Sequence, residues 1–394
     1  MENLSERIAK LPPDKRDLLL RRLRGEGIGG GAAAPSPVAE RQATVFDPER
    51  DGNFHLEVSQ PGVFESLKLR VCPRKEVGPG QVLIEVAAAS MNFRDVMIAL
   101  GMYPTPPGVS PVMGSDCAGT IVALGEGVLG LEVGDEVLAL TSDSFSAYAA
   151  ASAVTVTKKP PELSFQDAAS IPTVFLTVYF GLHYLARLSK GERILVHSAA
   201  GGIGLSALQL ARWREAEVFA TVGTPEKREL LRSMGVEHIM SSRSLDFADE
   251  VLAMTGGQGV DVVLNSLAGE AIPKGLGVLR PLGRFVELGK RDIYEDKRIG
   301  LRPFHKGLSF FAIELSPLAG RRPEVFRSLF SDVMALFAEG VFTPLPSKVF
   351  EIGNAVAAYK YMSQGTHVGK IVLDLTPGEV LVEPPGPGRG LPPG

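Results

Sequence analysis

The clearest chemistry in this chain lies in Arg193–Arg212, where Arg-Ile-Leu-Val-His-Ser-Ala-Ala-Gly-Gly-Ile-Gly runs into Leu-Ser-Ala-Leu-Gln-Leu-Ala-Arg. The pattern Ala199-x-Gly201-x-x-Gly204 follows a short apolar run, Ile194–Val196, and opens a helical repeat of Ile203, Ala207, Leu208, Leu210 and Ala211. Unpaired N–H groups at a helix start, aided by the helix dipole, receive a pyrophosphate. Ala200, Gly201, Gly202, Ile203 and Gly204 would surround it. Gly201 lets the backbone approach the phosphates, and Gly204 lets the helix pack on the strand. Ala199 stands where the common fingerprint has its first glycine. An ordinary tight turn shares this spacing, so the setting must decide.

The next strand, Glu217–Val222, supplies part of that setting. A dinucleotide with a free ribose 2′-hydroxyl asks for an acid at the strand end. Here Thr221, Val222, Gly223 and Thr224 close it, and Lys227 and Arg228 follow. Small polar and basic groups such as Thr224 and Lys227 accept a 2′-phosphate that a carboxylate repels, which predicts NADPH. The same cations also suit the exposed start of a helix over Pro225–Met234. His197, beside the glycines, ends a buried strand, where structural bonding is favoured over catalysis.

The elements that must hold these residues fall into two kinds. Around the glycines, strand-like runs at Val260–Asn265 and Arg284–Leu288 alternate with helical or Gly/Pro-rich segments, which predicts a doubly wound parallel sheet. Between Phe54 and Val156 the runs become short and turn-bounded: Leu67–Val71, Gln81–Ala87, Cys117–Leu124 and Glu136–Leu140. That is a barrel-like β domain. Similar runs return at Ser347–Ile352 and Lys370–Leu375, so the nucleotide domain is expected to be inserted into, or flanked by, a discontinuous β domain, and a cleft between such domains favours substrate.

Bulk properties narrow the class. The 394 residues allow two or three domains, and 45 acids against 41 bases leave a net charge of −4 with no basic stripe for nucleic acid. No signal peptide or long apolar run is present, which predicts a cytoplasmic chain without a membrane segment. Cys72 and Cys117 lack metal-ligand spacing and read as buried residues. Residues 4–24 read as two short amphipathic helices broken at Pro12-Pro13, which suit either a docking segment or a solvated tail. Gly25–Pro37 and Glu383–Gly394 have linker composition.

Five stretches, Ser90–Gly101, Met113–Thr120, His197–Gly204, Glu287–Asp292 and Thr366–Val372, give the chain a family likeness. Over Phe54–Leu375 it resembles the medium-chain dehydrogenase/reductase superfamily and, more narrowly, the enoylreductase domains of modular polyketide synthases. The resemblance implies a Rossmann cofactor domain within a GroES-like β-barrel domain. It divides the chain into a helical linker (1–31), a flexible linker (32–52), a β domain (53–174), the NADPH domain (175–315), a helix returning to the β domain (316–376) and a second linker (377–394). Zinc enzymes of the superfamily carry a Cys where this chain has Asn92 and a His-Glu pair where it has Ser115-Asp116, and their structural lobe needs four cysteines. No metal is therefore expected. Without a Lewis acid, reduction of a C=C bond activated by a thioester is favoured over alcohol oxidation.

The likeness also implies roles. Lys290 would stabilise an enolate or donate the proton, Tyr103 would serve as proton donor or in its relay, and Glu314 would hold Lys290 where the family often has Asp. Asn92, Gly201, Gly202, Ile203, Lys227, Arg243, Asn265, Leu288, Gly289, Phe311 and Lys370 match cofactor contacts, with Arg243 joining Lys227 at the 2′-phosphate and Thr173 near the nicotinamide amide. Bland readings stand beside these: Lys290 as a solvated loop charge, Tyr103 as packing, Glu314 as an exposed carboxylate. The implied partner is an acyl carrier protein bearing an enoyl-phosphopantetheine, in secondary metabolism, with the chain acting in trans or as an excised domain. Tyr at position 103 goes in the family with 2S methyl products. The competing readings are a free-standing quinone or enoyl-CoA reductase and a silent NADPH-binding scaffold.

Overall fold

A computed structural model describes residues 43–105, 111–376 and 378–385. The amphipathic segment 4–24 and the Gly25–Pro37 linker lie outside the described residues. Two compact units emerge. One comprises Ser170–Ser347 and Thr366–Lys370; the other comprises the described residues before Ser170, Lys348–Gly365 and those from Ile371 onward.

Among its described residues, the first unit carries a six-stranded sheet whose pairings are all parallel. Its spatial order is His238–Ser241, Glu217–Val222, Arg193–Val196, Val260–Asn265, Leu279–Glu287 and Ser309–Ala312. These strands read as apolar runs because helices cover both faces, and Leu195, Phe219, Val263 and Phe285 form a buried core. Strand order reverses beside Arg193–Val196, which opens a crevice at the carboxyl ends of the strands.

Three expectations are corrected. The strand expected over Arg284–Leu288 begins earlier, at Leu279, because a register shift against Val260–Val262 absorbs the Pro281-Leu282-Gly283 interruption. The main stretch of the nucleotide unit runs on to Ser347, past residue 315. The cause is the helix Pro323–Ala338, whose Phe337 packs with Phe342 on Phe175, at ring distances of 4.8 and 5.0 Å from it. The third concerns the linkers expected over 32–52 and 377–394, which carry secondary structure where they meet. Thr44–Val45 pairs antiparallel with Leu381–Val382, and the Glu383 backbone bonds Leu69 and Val71 while its carboxylate meets Lys68 at 2.8 Å.

The second unit is β-rich. Gln81–Met91 is its central strand, paired with Asp116–Leu124, Tyr148–Ser152 and Lys370–Asp374. Glu136–Leu140 and Val156–Lys158 extend the sheet, and Asn53–Val58 forms a hairpin with Leu67–Cys72. Val82, Ile84, Met91, Ile121 and Ile371 fill its interior.

Candidate active site

In the nucleotide unit the glycine turn has the geometry that a pyrophosphate needs. Ser198 leaves the Arg193–Val196 strand in a left-handed conformation (φ 55°), and the helix Gly202–Trp213 starts at Gly201 with no side chain capping it. A Cβ on Gly204 would come within 2.4 Å of the Ala199 backbone, so only glycine lets this helix approach the strand. A Cβ on Gly201 would meet protein only at 3.5 Å, which leaves that backbone open toward a ligand. Lys370 folds over the turn: its Cδ lies 2.8 Å from where a Gly202 Cβ would stand, and the preceding Gly369 N–H bonds Ala200 at 2.9 Å. Ala200 and Lys370 are buried, whereas Gly201, Gly202, Ile203 and Thr173 are half-buried.

The end of the Glu217–Val222 strand is basic, as its composition implies. Thr224 caps the helix Pro225–Ser233 by accepting the Lys227 N–H at 3.3 Å. Lys227 is buried, and that burial lowers its pKa. The Arg243 Nε lies 3.5 Å from a virtual Gly223 Cβ, so both cations converge on this strand end. Burial and the charges of Lys227 and Lys370 push the His367 imidazole down to about 4. A concentration of positive charge with no carboxylate at the strand end suits the 2′-phosphate of NADPH. The turn and this cluster together fit the cofactor.

His197 is structural in its bonding: buried, Nδ1 at 3.1 Å from the Thr221 hydroxyl and edge-on to Phe247. Burial drives its pKa down to about 3, so it stays neutral.

At the far side of the crevice, Lys290 and Glu314 come together. The Lys290 ammonium meets the Glu314 carboxylate at 2.5 Å and also donates to the Ile313 carbonyl. The sequence offered Lys290 as a possible solvated charge, but its side chain is only 21% exposed. Phe311 is half-buried on the edge strand Ser309–Ala312.

In the β-rich unit, Asn92 and Tyr103 flank the helix Phe93–Ala99. Asn92 forms a capping box with Asp95, and its Nδ2 donates to Asp116 at 2.8 Å. Asp116 also accepts from Ser90 at 3.1 Å. Asn92 and Asp116, at two of the positions that zinc enzymes fill with ligands, are thus bonded to one another. Gly101 (φ 67°) ends the helix, and the Tyr103 N–H bonds the Met97 carbonyl at 3.1 Å. The Arg94 guanidinium sits 5.1 Å from the Tyr103 ring centroid and donates to Ser115 at 3.3 Å.

Comparison with known proteins decides the family. Residues 78–160 match the alcohol dehydrogenase GroES-like domain model, and residues 202–332 match the zinc-binding dehydrogenase model. The chain is 41% identical over 345 residues to a mycocerosic acid synthase-like polyketide synthase of Mycolicibacterium smegmatis, covering 86% of this chain and 16% of that protein. The crystal structure of the CurK enoyl reductase superposes with a TM-score of 0.74 at 41% identity, covering 82% of this chain and 99% of that one. The CurF ER cyclopropanase from the curacin A biosynthetic pathway gives 0.75 at 34% identity, over 82% and 99%. The chain belongs to the enoyl reductases of the medium-chain dehydrogenase/reductase superfamily. It spans about a sixth of the length of the curated relatives it matches.

In this enoyl reductase, residue reasoning missed Glu287. It ends the Leu279–Glu287 strand, is 2% exposed, and accepts from Asn265 Nδ2 at 2.6 Å and from the Gly289 N–H. Burial pushes its carboxyl up to about 7 against the pull of those hydrogen bonds. Asn265 is fully buried, and its side chain bonds Glu287 and the Leu267 carbonyl. The available signal was the acid preceding Leu288-Gly289-Lys290, a charge in an otherwise apolar strand. Among the described residues, no group of three or more His, Cys, Asp or Glu is placed to hold a metal ion.

Proposed function

We propose that the enoyl reductase reduces the α,β-double bond of an enoyl thioester carried by an acyl carrier protein. The observation that carries the reading is the Lys290–Glu314 pair at the ends of the adjacent strands Leu279–Glu287 and Ser309–Ala312, in the same parallel sheet as the glycine turn. Ala200–Gly204, Thr173, Thr224, Lys227, Arg243, Leu288, Gly289 and Lys370 would hold NADPH, which when bound would supply the hydride for the β-carbon. An ammonium has three N–H donors, and Ile313 and Glu314 occupy two of them. The third is directed to the thioester oxygen, where charge collects as the double bond is lost. Glu314 fixes the position of the ammonium. Tyr103 serves as the acid that protonates the α-carbon or feeds its proton.

The carrier-protein partner is supported by the polyketide synthase relatives, and residues 4–24 are proposed as its docking aid. The cytoplasm is proposed as the site of action, supported by Cys72 and Cys117, which remain thiols. No described helix is long and apolar enough to cross a membrane.

The test is loss of reduced-nicotinamide absorbance with crotonyl- and 2-methylcrotonyl-pantetheine, with mass analysis of the product. A gain of two hydrogens supports the proposal. Turnover restricted to quinones assigns the rival reductase reading, and cofactor binding without turnover of either class assigns a scaffold.

A further inference from the structure

The turn Leu288–Lys290 leads from the Leu279–Glu287 strand into the short helix Arg291–Tyr294 and carries the ammonium on which the proposed reaction depends. Its backbone is anchored at each end: the Leu288 N–H bonds the Asn265 carbonyl at 2.9 Å, and the Lys290 carbonyl accepts the Tyr294 N–H at 2.9 Å. Glu287 adds side-chain anchors. One carboxylate oxygen accepts from Gly289 N–H, and the other accepts from Asn265 Nδ2 at 2.6 Å. The Glu287 carbonyl also accepts the Ile313 N–H at 2.9 Å, beside the carbonyl that receives the Lys290 ammonium. A Cβ on Gly289 would stand 2.7 Å from the carboxylate, so the glycine makes room for the anchor. Two donors face two carboxylate oxygens. A proton on either oxygen sets a donor against a donor and weakens one bond.

We infer that Glu287 is a positioning residue that acts through its ionised carboxylate, holding the Leu288–Lys290 turn in place and loosening it when protonated. The surroundings make such a change accessible near neutral pH. Glu287 lines a cavity of about 370 Å³ shared with Glu270, Asp292, Lys297 and Arg298. Asp292 opposes ionisation of Glu287, while Lys297 is tied to Asp292 at 2.5 Å. The Lys290 ammonium is directed to Ile313 and Glu314. Burial raises the Glu287 carboxyl to about 7. The inference rests on the role of Lys290 proposed above only for its kinetic consequence.

The first measurement is therefore independent of turnover: hydrogen exchange in the full chain over Val286–Asp292, corrected for intrinsic rates, from pH 5.5 to 9. Protection should grow as pH rises through the neutral range, and in Glu287→Gln it should be flat and about tenfold or more lower at high pH. In kinetics, kcat/KM of the wild type should show an acid limb that the variant lacks. If Glu287→Gln lowers protection throughout the nucleotide unit, Gly289→Ala is read instead, since it displaces the carboxylate without removing it. Wild-type protection and pH dependence in either variant that keeps its fold would overturn the inference. Protection that titrates in a chain with no enoyl-thioester turnover would uphold Glu287 and sink the proposed reaction.

Discussion

At the scale of single residues, the basic strand end yields the first prediction. Removing a charged hydrogen-bond partner costs about 1.5–3 kcal/mol, which is about ten- to a hundred-fold in affinity. Lys227→Ala should therefore weaken NADPH binding by that factor and leave NADH nearly unchanged; equal losses in a fluorescence titration would refute it. Tyr103 yields the second. A phenol stays protonated at neutral pH, with an ordinary pKa near 10, and can donate to an enolate. Tyr103→Val should leave NADPH oxidation largely intact while 2R product joins the 2S product of a 2-methyl thioester, as chiral analysis would show. Pure 2S product at an unchanged rate makes Tyr103 a packing residue. The third is acid sensitivity. His197 and His367 have folded pKa values depressed to about 3 and about 4, so the unfolded chain binds more protons below the ordinary imidazole value. Stability present above about pH 6.5 is lost as pH falls toward those values, with His197 alone contributing roughly 3–6 kcal/mol at the limit. Melting temperatures from pH 7 to 4 should fall, and less steeply in His197→Gln.

At the scale of elements, the glycine turn is the most exposed to test. Gly204→Ala would drive a methyl into the Ala199 backbone, forcing the Gly202–Trp213 helix off its strand. Overpacking of this kind costs about 1–3 kcal/mol, and the displaced N–H groups should weaken NADPH binding. Calorimetric melting and a binding titration check both. Periodicity made much of this layer legible: Glu217–Val222, Val260–Asn265 and Glu136–Leu140 occur where their apolar runs place them. Other features stayed hidden because they are set by distant partners. The helix Pro323–Ala338 has an apolar face, but nothing local says that Phe175 receives it. Lys290 and Glu314 look like two surface charges until adjacent strand ends bring them together. Glu287 reads as an ordinary strand-end acid, and only its neighbours Asn265 and Gly289 show what it holds.

At the scale of the molecule, the β-rich unit is built from three separate stretches of chain, and the glycine-containing unit lies within its sequence. The pairing of Thr44–Val45 with Leu381–Val382 brings the incoming and outgoing backbones one strand spacing apart, about 5 Å. Thr44 faces Val382, so tension applied to both ends peels this pair open bond by bond rather than shearing all of its bonds at once. The outgoing strand is further fastened to Leu69 and Val71 and by Lys68 and Arg70. The short ladder is therefore expected to open first under load. In an optical-trap pulling experiment through the two ends, a small, reversible, low-force extension should precede any large unfolding step. A single high-force rupture with no such precursor would contradict it. Tension across the two ends would take up slack at this seam before the reductase lost its shape.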